Sequence, residues 1–165
     1  MKKIIPIVVL AAIIFAFTNT AKSEFSKTTL SQNLVTIENT EIPFKKILKK
    51  HTGKVTVIEI WASWCSDCVK AMPKLKELQA NNPNVDYVFI SLDKTYEKWQ
   101  AGMTKYEMKG DNYWVSDGMK GEFGKSIDLD WVPRYIILDK KGKIATYRAV
   151  ETEFDKMNET LKTLE

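Results

Sequence analysis

Two cysteines and one histidine, His51, are all that the 165 residues contain of those types. Four-coordinate zinc needs two more ligands than Cys65 and Cys68 supply, which counts against a zinc site. Val69 stands where covalent haem attachment requires a histidine, which counts against that reading too. No glycine-rich loop of the flavin- or nicotinamide-binding kind occurs, so no dissociable cofactor is expected. Internal repeats, low-complexity tracts and composition breaks are also absent, so no internal domain boundary is expected. The longest apolar run, residues 4–17, is about 14 residues. A membrane-spanning helix wants roughly 20.

What is present fits one globular domain: 44% hydrophobic and 28% charged residues in a chain long enough to bury a core. Lys2-Lys3, the apolar run and the small polar residues 18–23 have the layout of an export signal. Residues 1–21 are therefore expected to be a cleaved signal peptide or, if retained, an N-terminal membrane anchor through residues 4–17. The working domain is expected over 28–165, outside the cytoplasm in the periplasm. The formal charge of +4 is carried by lysines scattered among acids, the pattern of solvated helix faces, so no nucleic-acid partner is expected.

Residues 33–37 read as a first strand, and Phe44, Ile47 and Leu48 at helical spacing predict a short helix after Pro43, ending near Gly53. The β-branched run 55–61 reads as a central strand buried on both faces. After it, Val69, Met72, Leu75 and Leu78 define the apolar side of a helix that Pro73 should kink. A second buried strand over 85–92 completes a βαβ unit, whose crossover helix packs across the sheet. Helices are expected over 97–108 and 118–126. Residues 134–138 and 144–148 flank Asp139-Lys140-Lys141-Gly142, a hairpin with Gly142 at positive φ. A terminal helix from about residue 152 turns Phe154, Met157 and Leu161 inward. The sum is an α/β fold with a mixed sheet and helices on both faces.

A cysteine pair three residues apart closes too small a loop to restrict the unfolded chain much, so its value lies in chemistry. At the start of a helix, orphan N–H groups and the helix dipole favour a thiolate on the first cysteine. The second, one turn on, can attack a mixed disulfide formed on the first. Cys65 is thus the expected nucleophile and Cys68 the resolving thiol. Ser66 and Asp67 between them are expected to tune the pair, the Asp67 charge disfavouring the thiolate and making the pair rather reducing.

Trp61-Ala62-Ser63-Trp64-Cys65-x-x-Cys68, Met72-Pro73, Pro133 before a strand and the hairpin 139–144 together resemble the TlpA/ResA-like branch of the thioredoxin superfamily. The resemblance covers about residues 34–165 and implies a thioredoxin-like fold with a helical insert, here between Leu92 and Val132, before the cis-proline strand. It implies that Pro133 is cis and that the main chain of Val132 pairs with an incoming peptide. It also implies a buried carboxylate, at Glu59, which would accept the proton of Cys68. Trp64 is expected as exposed contact surface and Trp61 as packing; Trp99, Trp114 and Trp131 as core or groove wall. Arg134 departs from the threonine commonest after the proline. His51 is expected on the surface.

The activity implied is that of an exported thiol:disulfide oxidoreductase acting on protein disulfides, as a reductant, with electrons from an upstream dithiol reductase, a membrane-bound one being among the candidates. Apocytochrome c is among the substrates the resemblance admits. Two alternatives stay open at this stage: a thiol peroxidase, and a redox-inert binding module on the same fold.

Overall fold

A computed structural model describes residues 22–165, so the expected signal or anchor over 1–21 lies outside the described residues. A seven-stranded mixed sheet runs in the order β2-β1-β5-β4-β3-β6-β7. Its centre is β3 (Thr56–Trp61) and β4 (Asp86–Ser91), paired in parallel, with β6 (Arg134–Leu138) antiparallel on the other side of β3. Every residue of β3 and β6 is buried, which is why these stretches read as almost continuous apolar runs. β7 (Ile144–Ala149) closes one edge through the expected turn, where Gly142 takes φ 78° and the Asp139 carboxylate accepts the N–H groups of Lys141 and Lys143.

The other edge is less plain in the sequence. A short α1 (Lys27–Ser31) precedes a hairpin of β1 (Asn33–Val35) and β2 (Glu41–Pro43), so the strand expected over 33–37 is shorter and β2 is an addition. The stretch between Leu92 and Val132 contains the expected helices, α4 (Tyr96–Tyr106) and α5 (Glu122–Ser126), and in addition β5 (Asp111–Trp114). β5 pairs in parallel with β4 and antiparallel with β1, which ties the hairpin to the sheet.

The helices divide between the two faces. On one lie α3 (Ser66–Asn81), α4 and α6 (Phe154–Leu164): Tyr87 of β4 donates to the Leu78 carbonyl of α3, Trp61 meets Tyr106 of α4, and Tyr135 of β6 meets Phe154 of α6. On the other, Phe44 of α2 (Phe44–Lys50) sits edge-on between Phe25 and Phe123, with centroids 5.1 and 5.3 Å away. Each such pair contributes about 1 kcal/mol beyond its buried area. Helix α3 runs on through Pro73, whose missing N–H leaves the Val69 carbonyl without its helical donor.

His51 corrects one expectation. It is buried rather than on the surface, caps the C-terminus of α2, and its Nδ1 lies 2.8 Å from Asp86 Oδ2 and its Nε2 3.5 Å from Asp111 Oδ2. Both carboxylates come from strands distant in sequence, β4 and β5, so spacing could not reveal them.

Candidate active site

The parallel strands β3, β4 and β5 all end on one rim, and β6, antiparallel to β3, begins there. The chain leaving β3 turns through Ala62, whose carbonyl accepts the Cys65 N–H at 3.1 Å, and enters α3 with Cys65 as its N-cap. Cys65 Sγ accepts the backbone N–H of Cys68 at 3.1 Å, the capping bond that a serine or aspartate oxygen usually makes. Any negative charge on that sulfur gains from this N–H and from the dipole of a 16-residue helix. Cys65 and Cys68 are joined as a disulfide with Cα atoms 5.3 Å apart. Cys65 retains 6% exposure and Cys68 none, so the two sulfurs differ in access.

The Val132–Pro133 bond is cis, and the Val132 carbonyl oxygen lies 3.5 Å from Cys65 Sγ. Trp64, 55% exposed, and Trp131, 54% exposed, flank a groove of about 220 Å³ whose lining includes Cys65, Asp67, Met119 and Val132. Ser66 lines the same groove, and Asp67, in the first turn of α3, lies 3.7 Å from Lys70 Nζ. Trp61 and Trp99 are wholly buried and Trp114 is half-buried. The residues singled out in the sequence thus converge on one rim, with Glu59 beneath it.

Glu59 is buried in β3 directly opposite Tyr135, whose hydroxyl donates to Glu59 Oε1 at 3.2 Å. Register places both on the face that α3 covers. Burial pushes the Glu59 carboxyl up to about 8, against the smaller opposing pull of the Tyr135 hydroxyl. Burial, with the Glu59 charge next, pushes the Tyr135 hydroxyl far above its ordinary value, so it stays a donor. Glu59 Oε2 has no protein hydrogen-bond partner among the described residues.

Three participants were not read from the sequence. Asp93, buried just past β4, accepts hydrogen bonds from Ser63 Oγ at 2.6 Å, Ser63 N at 3.2 Å and Ser91 Oγ at 2.8 Å, pinning the turn two residues before Cys65. An aspartate just beyond the carboxyl end of a buried strand was the available signal. Met119 reaches the groove from the loop before α5, with no local signal. Asp130 holds Arg134, buried directly after Pro133, and also Arg148 at 3.0 Å, which fixes the segment carrying Val132. The departure from threonine at 134 is therefore accommodated by a partner four residues away.

The profile of the thioredoxin-like family matches residues 53–144, which include both cysteines and Pro133. The thiol-disulfide oxidoreductase ResA of Bacillus thuringiensis is 28% identical over 151 residues, 90% of this chain and 83% of that protein. A secreted disulfide oxidoreductase of Mycobacterium tuberculosis shares the fold with a TM-score of 0.65 at 20% identity, over 84% of this chain and 100% of its own. A thiol-disulfide oxidoreductase of Bacteroides fragilis does so with a TM-score of 0.64 at 24% identity, over 78% and 96%. With the cysteine pair at a helix N-terminus beside a cis-proline, this chain belongs to the thioredoxin-like family, in its TlpA/ResA-like branch of thiol-disulfide oxidoreductases.

Proposed function

We propose that the protein works outside the cytoplasm as a reductant of protein disulfides, with Cys65 as nucleophile, Cys68 as resolving thiol and Glu59 as proton acceptor. The observation that carries the exchange activity and the choice of nucleophile is the capping bond from the Cys68 N–H to Cys65 Sγ, which favours a thiolate at the partly accessible sulfur. In the reduced protein the Cys65 thiolate attacks one sulfur of a substrate disulfide and expels the other as a thiolate. Cys68 then loses its proton and attacks Cys65 Sγ, releasing the second substrate thiolate and leaving the Cys65–Cys68 disulfide. Two electrons have passed to the substrate. An upstream dithiol returns them.

A thiol of ordinary pKa near 8.5 passes its proton to a carboxylate at about 8 almost without cost. A carboxylate at the ordinary 4.5 would face a penalty of about 5 kcal/mol. Export is supported by Lys2-Lys3 and the apolar residues 4–17, which suit a signal or an anchor. Among the described residues no helix is long and apolar enough to cross a membrane. Trp64, Trp131 and Val132 form the contact surface for the substrate segment around its disulfide.

Insulin reduction with dithiothreitol as electron donor tests the activity. The protein is expected to accelerate precipitation of the insulin B chain; rapid peroxide consumption without it would indicate a thiol peroxidase, and neither activity a binding module.

The reducing direction is supported by Asp67, whose negative charge in the first turn of α3 opposes the Cys65 thiolate, partly offset by Lys70. Asp67→Asn is expected to raise the reduction potential by roughly 10 to 30 mV, read from glutathione redox equilibria. An unchanged or lower potential contradicts this role.

A further inference from the structure

A second cavity lies beside the cysteine pair. It is a groove of about 640 Å³ on the far side of Trp64, between the Ser63–Trp64 turn and α4. Trp64 lines both this groove and the smaller one that contains Cys65 and Val132, so it stands as a ridge between them. An extended segment bound over Cys65 therefore passes into the larger groove by crossing one exposed indole.

At the floor of this groove α4 approaches the turn closely at Gly102, which is buried. A Cβ there would sit 2.9 Å from Ser63 Cβ and 3.2 Å from the Trp61 ring. Lys98 and Lys105, seven residues apart and so two turns along α4, lie on the same helix face as Gly102 and line the groove with Lys94. All three lysines are exposed. Lys105 Nζ lies 5.1 Å from the Tyr106 ring centroid, which places its charge at the groove wall.

The exposed acid on α4 closest in sequence to these lysines is Glu97, which does not line the groove. No carboxylate lines the groove, and none of the three lysines is in an ion pair among the described residues. Asp93, next to Lys94, is buried and occupied by Ser63 and Ser91. Glu107, two residues past Lys105, pairs with Lys76 at 2.7 Å. The smaller groove, by contrast, carries Asp67 as its one charged side chain. The lysines that line either groove therefore all lie on one side of the Trp64 ridge.

We infer that this groove is a docking site for an acidic segment of the disulfide-bearing protein substrate, lying next in sequence to the cysteine that meets Cys65. The inference rests on the exchange activity proposed above and specifies its substrate class. Charge complementarity of this kind acts mainly on the rate of encounter, which falls as salt screens it.

The test uses the reduced full domain and three disulfide-linked peptides identical except for flanking residues that are glutamate, glutamine or lysine. The kcat/KM for reduction of each is measured at low and high ionic strength. The glutamate peptide is expected to exceed the glutamine peptide by about 10-fold at low salt, with most of the difference lost at high salt. The combined Lys94→Gln, Lys98→Gln and Lys105→Gln variant is expected to bring that ratio within about twofold. A control, Lys45→Gln, Lys46→Gln and Lys49→Gln, removes the same net charge from exposed positions on α2, across the sheet, and is expected to keep it.

Equal rates for the glutamate and glutamine peptides overturn the inference. So does a preference that survives in the groove variant or falls equally in the control, because net charge would then account for it. A preference for the lysine peptide overturns it as well. A small uncharged disulfide tests the underlying activity separately: its reduction with no discrimination among the peptides removes only the docking site. Failure to reduce any disulfide removes both.

Discussion

Cys65→Ser is expected to reduce disulfide exchange to background and to trap no partner, whereas Cys68→Ser should accumulate a long-lived mixed disulfide with the substrate. The asymmetry follows from position: Cys65 caps α3 beside the exposed Trp64 and retains some accessibility, while Cys68 is wholly buried one turn further in. Loss of Cys68 removes the intramolecular attack that clears the adduct. Non-reducing electrophoresis of extracts from cells exporting each variant reads the outcome, with dithiothreitol release identifying the partner. Equal trapping by the two variants would refute the assigned roles.

Glu59→Gln is expected to slow release from the mixed disulfide by about 10²-fold near neutral pH, the usual contribution of a positioned proton acceptor. The substitution should also alter how stability depends on pH. The folded carboxyl titrates at about 8 and the unfolded one at about 4.5, so between these values the native state holds a proton that the unfolded chain has released. Stability therefore falls as pH rises through this window, by on the order of 3 to 5 kcal/mol in all, and levels off above it. Glutamine does not titrate, so its variant should lack that slope. Denaturation midpoints at pH 5 and pH 8, alongside stopped-flow reduction rates, measure both effects. Parallel stability profiles together with unchanged rates would remove Glu59 from the mechanism.

The parts of the fold legible in the sequence were those whose side chains carry the signal themselves. β3, β4 and β6 are buried on both faces and read as apolar runs, and the hairpin at Gly142 is fixed by local turn chemistry. β5 was hidden because Asp111-Asn112-Tyr113-Trp114 has one fully buried residue and owes its extended form to pairing with β4. The three-residue strands β1 and β2 are too short to show alternation. At the site, the cysteine pair and Pro133 stood out by motif and Glu59 as a charge in an apolar run. Asp93, Met119 and the His51 pairing depend on contacts between distant segments, which periodicity does not encode.

The common rim of β3, β4 and β5 separates two kinds of evolutionary change. Trp64, Trp131 and the lysines at 94, 98 and 105 are exposed, outside the strands, where a substitution typically shifts stability by about 0.5 kcal/mol or less. Glu59 and Tyr135 face each other inside the hydrogen-bonded register; on the role proposed for Glu59, a change there alters proton handling for every substrate alike. Drift at the rim can readdress the protein to new clients while its electron-transfer core stays as it is, so relatives with the same core need not share a client.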